Sequence, residues 1–231
     1  MTTQLEVLII RPKRQPIAPQ RIRSKPGRSP RVCRLTLAIG FAVTVVLPGI
    51  ASAWEIQLQA APRRVFLSVG NGSFEADSGT VNLVQVDIPM GQVGSGVPLT
   101  MSSDSTQSRS PLDNYLTCPD PSSQVLIGAS YRRRFGFEPA EATLRVTAPA
   151  FLVNGAGDTI PINEISWTVS APGSGSPGII PAGTFTPGTQ TLTTVRANRY
   201  IENCHSFHFA NSALRAAGTY TGQVTYTISS P

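Results

Sequence analysis

The densest group of chemically capable side chains in this sequence is Cys204-His205-x-x-His208, with one further cysteine far upstream at Cys118. Thiolate and imidazole are zinc ligands, but a structural zinc site needs four of them, commonly as close pairs. Here the second cysteine is remote, and on an extended chain His205 and His208 project from opposite faces. The group reads better as a disulfide partner flanked by two half-exposed imidazoles, with no metal. A hydrolytic triad would have to join a serine and a carboxylate to one of these two histidines. No serine stands in a G-x-S-x-G elbow. Asp77, Asp87, Glu138 and Glu141 read as ordinary surface acids. No catalytic residue, cofactor or metal is therefore expected, and the chain is not read as an enzyme.

Two other patterns suggest ligands. Arg132-Arg133-Arg134 is a compact positive spot at a strand end, suited to a sulfated or phosphorylated partner; a solvated turn is the simpler reading. Gly91-x-x-Gly94-x-Gly96 lacks the Lys-Ser/Thr pair and the following helix of a phosphate loop.

The net charge of +6 is unevenly distributed. Residues 1–53 carry nine of the 19 Lys and Arg and a single acid, Glu6, whereas residues 54–231 hold ten Arg against twelve acids. The basic character belongs to the N-terminal part and says nothing of what the rest binds. A polybasic nucleic-acid tail is possible on charge alone, but export would remove it, and no nucleic-acid partner is expected. Arg31 and Arg34 precede the uncharged run Leu35 to Ile50, which ends at Ala51-Ser52-Ala53, a small-x-small cleavage pattern. We read residues 31–53 as a signal peptide with Trp54 as the mature N-terminus. A retained anchor competes with this reading, although the run falls short of the ~20 residues of a membrane span. Residues 1–30, basic and rich in proline, are long for the start of a signal. They read as an extended leader or as a start assigned too far upstream.

Of three cysteines, Cys33 falls in the signal, leaving Cys118 and Cys204 to form one bridge. A bridge implies an oxidising compartment and stabilises by about 4 kcal/mol on the chain-entropy model. The expected location is the periplasm, the cell surface or the extracellular space.

The elements that would carry these residues are short strands. Residues 54–231 suit one domain of ordinary size. Period-two alternation separated by Gly, Pro and Ser clusters marks strands at 54–59, 63–69, 81–88, 125–131, 142–148, 162–170, 189–195 and 206–210. The clearest is a further run at the C-terminus, where Tyr220, Gly222, Val224, Tyr226 and Ile228 share one face and Thr, Gln and Ser the other. We expect Tyr220, Val224, Tyr226 and Ile228 to be core positions. The stretches 91–123 and 171–183 read as long surface loops, and Ser212 to Ala217 as one helical turn. The pattern predicts an all-β, antiparallel sandwich or barrel with long Gly/Ser/Pro-rich loops.

The C-terminal Ala217-Gly218-Thr219-Tyr220, followed by an alternating Thr/Val/Tyr strand to the chain end, resembles chaperone–usher pilins and spore coat protein U-like secreted domains. That resemblance implies an immunoglobulin-like sandwich lacking one strand, filled by an extended segment from a neighbouring subunit. It implies self-assembly or assembly with related subunits, a periplasmic chaperone and an usher, and no membrane span after signal cleavage. Trp54, Ile56 and Leu58 alternate as such a donor strand requires, and equally as the domain's own first strand would. The cysteines depart from the pilin pattern, since many pilins place both in the first third of the mature chain. The expected function is a secreted structural subunit joined by strand addition; the alternative is a monomeric secreted module binding a carbohydrate or another surface ligand.

Overall fold

The computed structural model describes residues 2–13, 55–72, 81–170 and 180–231. The proposed signal peptide with Cys33, the proposed N-terminal Trp54, and Asp77 lie outside the described residues. In chain order the strands are β1 (Thr2–Lys13), β2 (Glu55–Gln57), β3 (Arg64–Val69), β4 (Asn82–Pro89), β5 (Leu99–Thr100), β6 (Ser102–Ser103), β7 (Val125–Arg132) and β8 (Glu141–Ala148). They continue with β9 (Phe151–Val153), β10 (Thr159–Pro161), β11 (Ile165–Ser170), β12 (Gly183–Thr184), β13 (Gly188–Arg196), β14 (Arg199–Phe209) and β15 (Gly222–Ser229). Among the described residues the helical content is two single 3-10 turns, Met90–Gln92 and Ile162–Glu164.

Two sheets form. One runs β13-β8-β15-β1-β4-β6; the other runs β12-β11-β14-β7-β3, with β2 and β5 also paired to β14. β9 and β10 make a separate hairpin. The ladders between named strands are antiparallel except that of β1 with β4.

Alternation in sequence becomes alternation in burial. On β4, Val84, Val86 and Ile88 are buried while Gln85 and Asp87 are exposed. On β8, Ala142, Leu144, Val146 and Ala148 are buried, and on β15 Val224, Tyr226 and Ile228. From the other sheet come Leu67 and Val69 of β3, Ile127 and Ala129 of β7 and Phe207 and Phe209 of β14, and both sets join one apolar cluster. β7 departs from alternation: its residues Val125 to Tyr131 are all buried. Its second face is covered by the loop that carries Cys118, where Cys118, Leu126 and Cys204 form a smaller cluster.

Several predicted boundaries move. β14 begins at Arg199, well before the predicted 206, because its partners β2 and β7 extend the ladder through Arg199 to Ile201. The stretch predicted as a strand over 162–170 opens with a 3-10 turn. Tyr220 is buried but precedes β15. The helical turn predicted at Ser212 to Ala217 is absent. Two carboxylate- and amide-centred clamps hold that segment instead. Glu164 accepts hydrogen bonds from the backbone N–H of Ser212 and from its hydroxyl, and pairs with Arg215 at 3.4 Å. Asn211 accepts from the Gly94 N–H (2.8 Å) and donates to the Gln92 carbonyl (2.7 Å). The same Asn211 contacts order part of the 91–123 stretch, which contains β5 and β6 and is not a plain loop.

Candidate functional site

The feature with the clearest functional geometry is the place held by β1. Thr2 to Val7 pair antiparallel with β15, from Thr2 opposite Thr227 to Val7 opposite Gly222. On the other side β1 pairs parallel with β4, from Leu5 opposite Asn82 to Lys13 opposite Pro89, with a register shift between Val7 and Ile10. β4 and β15 do not pair with each other; each presents a ladder edge to the strand between them. Residues 55–231 alone would therefore leave an open slot in the middle of this sheet. Its floor is the row of core residues Val84, Val86 and Ile88 on one wall and Val224 and Tyr226 on the other. A vacant slot exposes these side chains and leaves two rows of backbone groups unpaired, each costing about 1–3 kcal/mol if it stays desolvated.

A half-open apolar cavity of about 230 Å³ adjoins one end of the slot. Ile88, Met90, Phe209, Leu214 and Tyr220 contribute to its lining. Ile88 is also the β4 residue opposite Pro12, so the cavity lies where β1 leaves the sheet. The Tyr220 hydroxyl donates to the Ala216 carbonyl at 2.9 Å, which fixes the rim.

The segment read as the mature N-terminus is placed elsewhere. Glu55–Gln57 pairs antiparallel with β14, with Ile56 opposite Tyr200. Leu58 is buried and its N–H donates to the Asn198 carbonyl at 2.9 Å. Trp54, the first of the three residues read as alternating, lies outside the described residues. Tyr220, Val224, Tyr226 and Ile228 are all buried, as predicted for core positions. Full burial pushes the Tyr226 phenol well above its ordinary value.

Cys118 and Cys204 are joined in a disulfide with Cα atoms 5.5 Å apart. Beside it lies a polar cluster the sequence did not reveal. The Glu202 carboxylate accepts from the Thr117 hydroxyl (2.7 Å) and the Tyr200 hydroxyl (2.6 Å), and all three residues are buried. Desolvation raises both the Glu202 carboxyl and the Tyr200 phenol above their usual values. Gly128 makes room for this, since a Cβ there would stand 2.4 Å from the Tyr200 oxygen. The only signal in the sequence was Glu202 two residues from Cys204.

The histidines follow the predicted strand geometry with one correction. His208 is half-exposed and meets the hydroxyls of Thr168 (3.2 Å) and Thr100 (3.4 Å). His205, expected to be half-exposed, is completely buried beside Trp167 and Phe207. Neither of its ring nitrogens has a hydrogen-bond partner, and burial lowers its pKa to about 3. Neither imidazole is joined to a serine and a carboxylate. Among the described residues no group of three or more His, Cys, Asp or Glu is placed to hold a metal.

The arginine run is absorbed locally. Arg133 donates to the carbonyls of Gly136 and Glu138. The Glu138 carboxylate accepts from the N–H groups of Arg134 (2.9 Å) and Phe135 (3.1 Å). Arg132 stacks over Phe66 and Arg134 over Phe135. The loop so braced presents Phe135 and Phe137, stacked at 5.3 Å and both exposed.

Compared with protein-family models, curated proteins and solved structures, the chain matches none.

Proposed function

We propose that this chain is an exported structural subunit, pilin-like or coat-like, whose immunoglobulin-like sandwich joins to others by β-strand addition. The observation that carries this reading is the slot between β4 and β15, filled by a strand from outside the domain read at 54–231. One of its walls is the C-terminal strand on which the resemblance to chaperone–usher pilins rests. Strand addition needs an acceptor of this kind: two unpaired edges to give affinity through backbone hydrogen bonds, and an apolar floor to set register. The disulfide is compatible with an oxidising compartment.

In the assembled form, Glu55–Gln57 of one copy leaves β14, and Trp54 to Ala60 enters the slot of the next copy with Trp54, Ile56 and Leu58 facing the floor. That exchange replaces a three-residue ladder with a central sheet position. Light scattering on residues 54–231, exported to an oxidising compartment with and without residues 54–60, tests it. Multimers that become monomers on deletion are expected; unchanged assembly would exclude the proposed donor.

A second reading, a monomeric secreted module for carbohydrate, is favoured by the exposed Phe135–Phe137 pair, since flat aromatic faces stack on sugar rings. It predicts a monomer in the same experiment, with or without residues 54–60.

A further inference from the structure

We propose that Thr2–Lys13 is a plug in cis: in the full chain it occupies the strand slot of its own domain, and assembly requires its removal. This rests on the slot being the assembly site.

The occupant pairs with both walls, and with both at once over Leu5 to Val7. Six consecutive residues, Thr2 to Val7, pair with β15, and Leu5 to Lys13 follow β4 apart from the shift after Val7. Directly opposed residues on neighbouring strands share a sheet face. The register sets Leu5 opposite Val224, Val7 opposite Val84, Ile10 opposite Val86 and Pro12 opposite Ile88. These partners are the buried floor of the slot. Glu6 falls opposite Gln223, which is exposed, and Arg11 falls opposite the exposed Asp87 with complementary charge.

Chain connectivity allows closure in cis. Forty-one residues separate Lys13 from Glu55, a tether whose maximal reach of roughly 140 Å far exceeds a domain diameter. A tethered segment competes at an effective concentration set by its tether, whatever the concentration of the protein. A donor from a second copy, at micromolar protein, is outcompeted until residues 1–53 are lost. The leader thereby holds the subunit closed in the full chain.

Substitution of the opposed pair Glu6 and Gln223 by cysteine tests this. The full chain carrying C33S, E6C and Q223C is oxidised, and its cross-links are read by non-reducing electrophoresis and mass. The expected result is an intramolecular disulfide joining positions 6 and 223 in most chains, on a monomer. Absence of the cross-link, or cross-links only between copies, would overturn the proposal. Adding L5D and V7D is expected to reduce the cross-link to background and release the slot; a cross-link that persists would also overturn it. If L5D and V7D abolish the cross-link but the folded chain stays monomeric, the plug stands and assembly through the slot falls.

Discussion

β14 and β15 are both long, central strands with buried inner faces, yet they are completed in different ways. β14 draws its neighbours β2, β5, β7 and β11 from residues 55–170. A disulfide and a buried Glu202–Tyr200–Thr117 cluster anchor it further. β15 has β8 on one side and, on the other, a strand that begins at Thr2. One sheet is thus built from residues 55–209, and the other includes a strand from residues 2–13. A core can be well packed on both sides while only one of its sheets is self-sufficient. Function is expected at the insufficient one.

The largest effect that would sharpen this contrast lies on the β14 side. Replacing Cys118 and Cys204 by serine opens a loop of sequence separation 86 and should cost about 4–5 kcal/mol. Urea denaturation of the full chain should show this loss, while the E6C–Q223C cross-link still forms below the transition. Loss of the cross-link without unfolding would mean that the two sides are not independent.

Next comes acid. His205 is held neutral in the fold with a pKa of about 3, against an ordinary value of 6.5. Below pH 6.5 the unfolded chain takes up a proton that the folded chain refuses, so stability is full above pH 6.5 and falls as pH drops toward 3. The loss should reach about 3 kcal/mol by about pH 4. H205L, which leaves an apolar side chain among Trp167 and Phe207, should flatten the profile in this range. Glu202 acts in the opposite sense. Its folded value is raised, so its contribution is full below the ordinary carboxyl range and is lost as pH rises through the folded value. A profile unchanged by H205L would show that the imidazole is not buried as described.

The smallest effect lies at the slot. Arg11 stands opposite Asp87 across the parallel ladder. R11E should weaken the closed form by about 0.2–1 kcal/mol, read as a lower yield of the E6C–Q223C cross-link, and D87R should restore it. Lack of rescue would separate charge from register as the source of the fit.

Much of the fold was legible because the inward residues alternate cleanly. Val84, Val86 and Ile88, Leu144 and Val146, and Val224, Tyr226 and Ile228 were readable as strand faces from period alone. β7 was readable as a strand, but not its burial on both faces, because the covering loop becomes a lid only once Cys118 meets Cys204. The 3-10 turn at Ile162 was missed because three residues are too few to show a period and they run straight into the strand Ile165–Ser170. The candidate site was half legible. β15 was identified, and the family resemblance suggested a missing strand. The occupant was not, although Leu5-x-Val7 alternates, because the prolines and arginines that follow drew the segment into the leader.

Composition and spacing alone determined that this chain is all-β, that Cys118 and Cys204 are the pair left to bridge, and that the C-terminal strand is half buried. These are local properties: side-chain alternation, turn residues and a count of thiols. Only the tertiary structure decided which strands are neighbours, that His205 is sealed while His208 is half-exposed, and that Thr2–Lys13 stands between β4 and β15. Pairing across a sheet joins residues far apart in the chain, and the backbone groups that make those bonds are the same in every residue, so no local pattern encodes the partner.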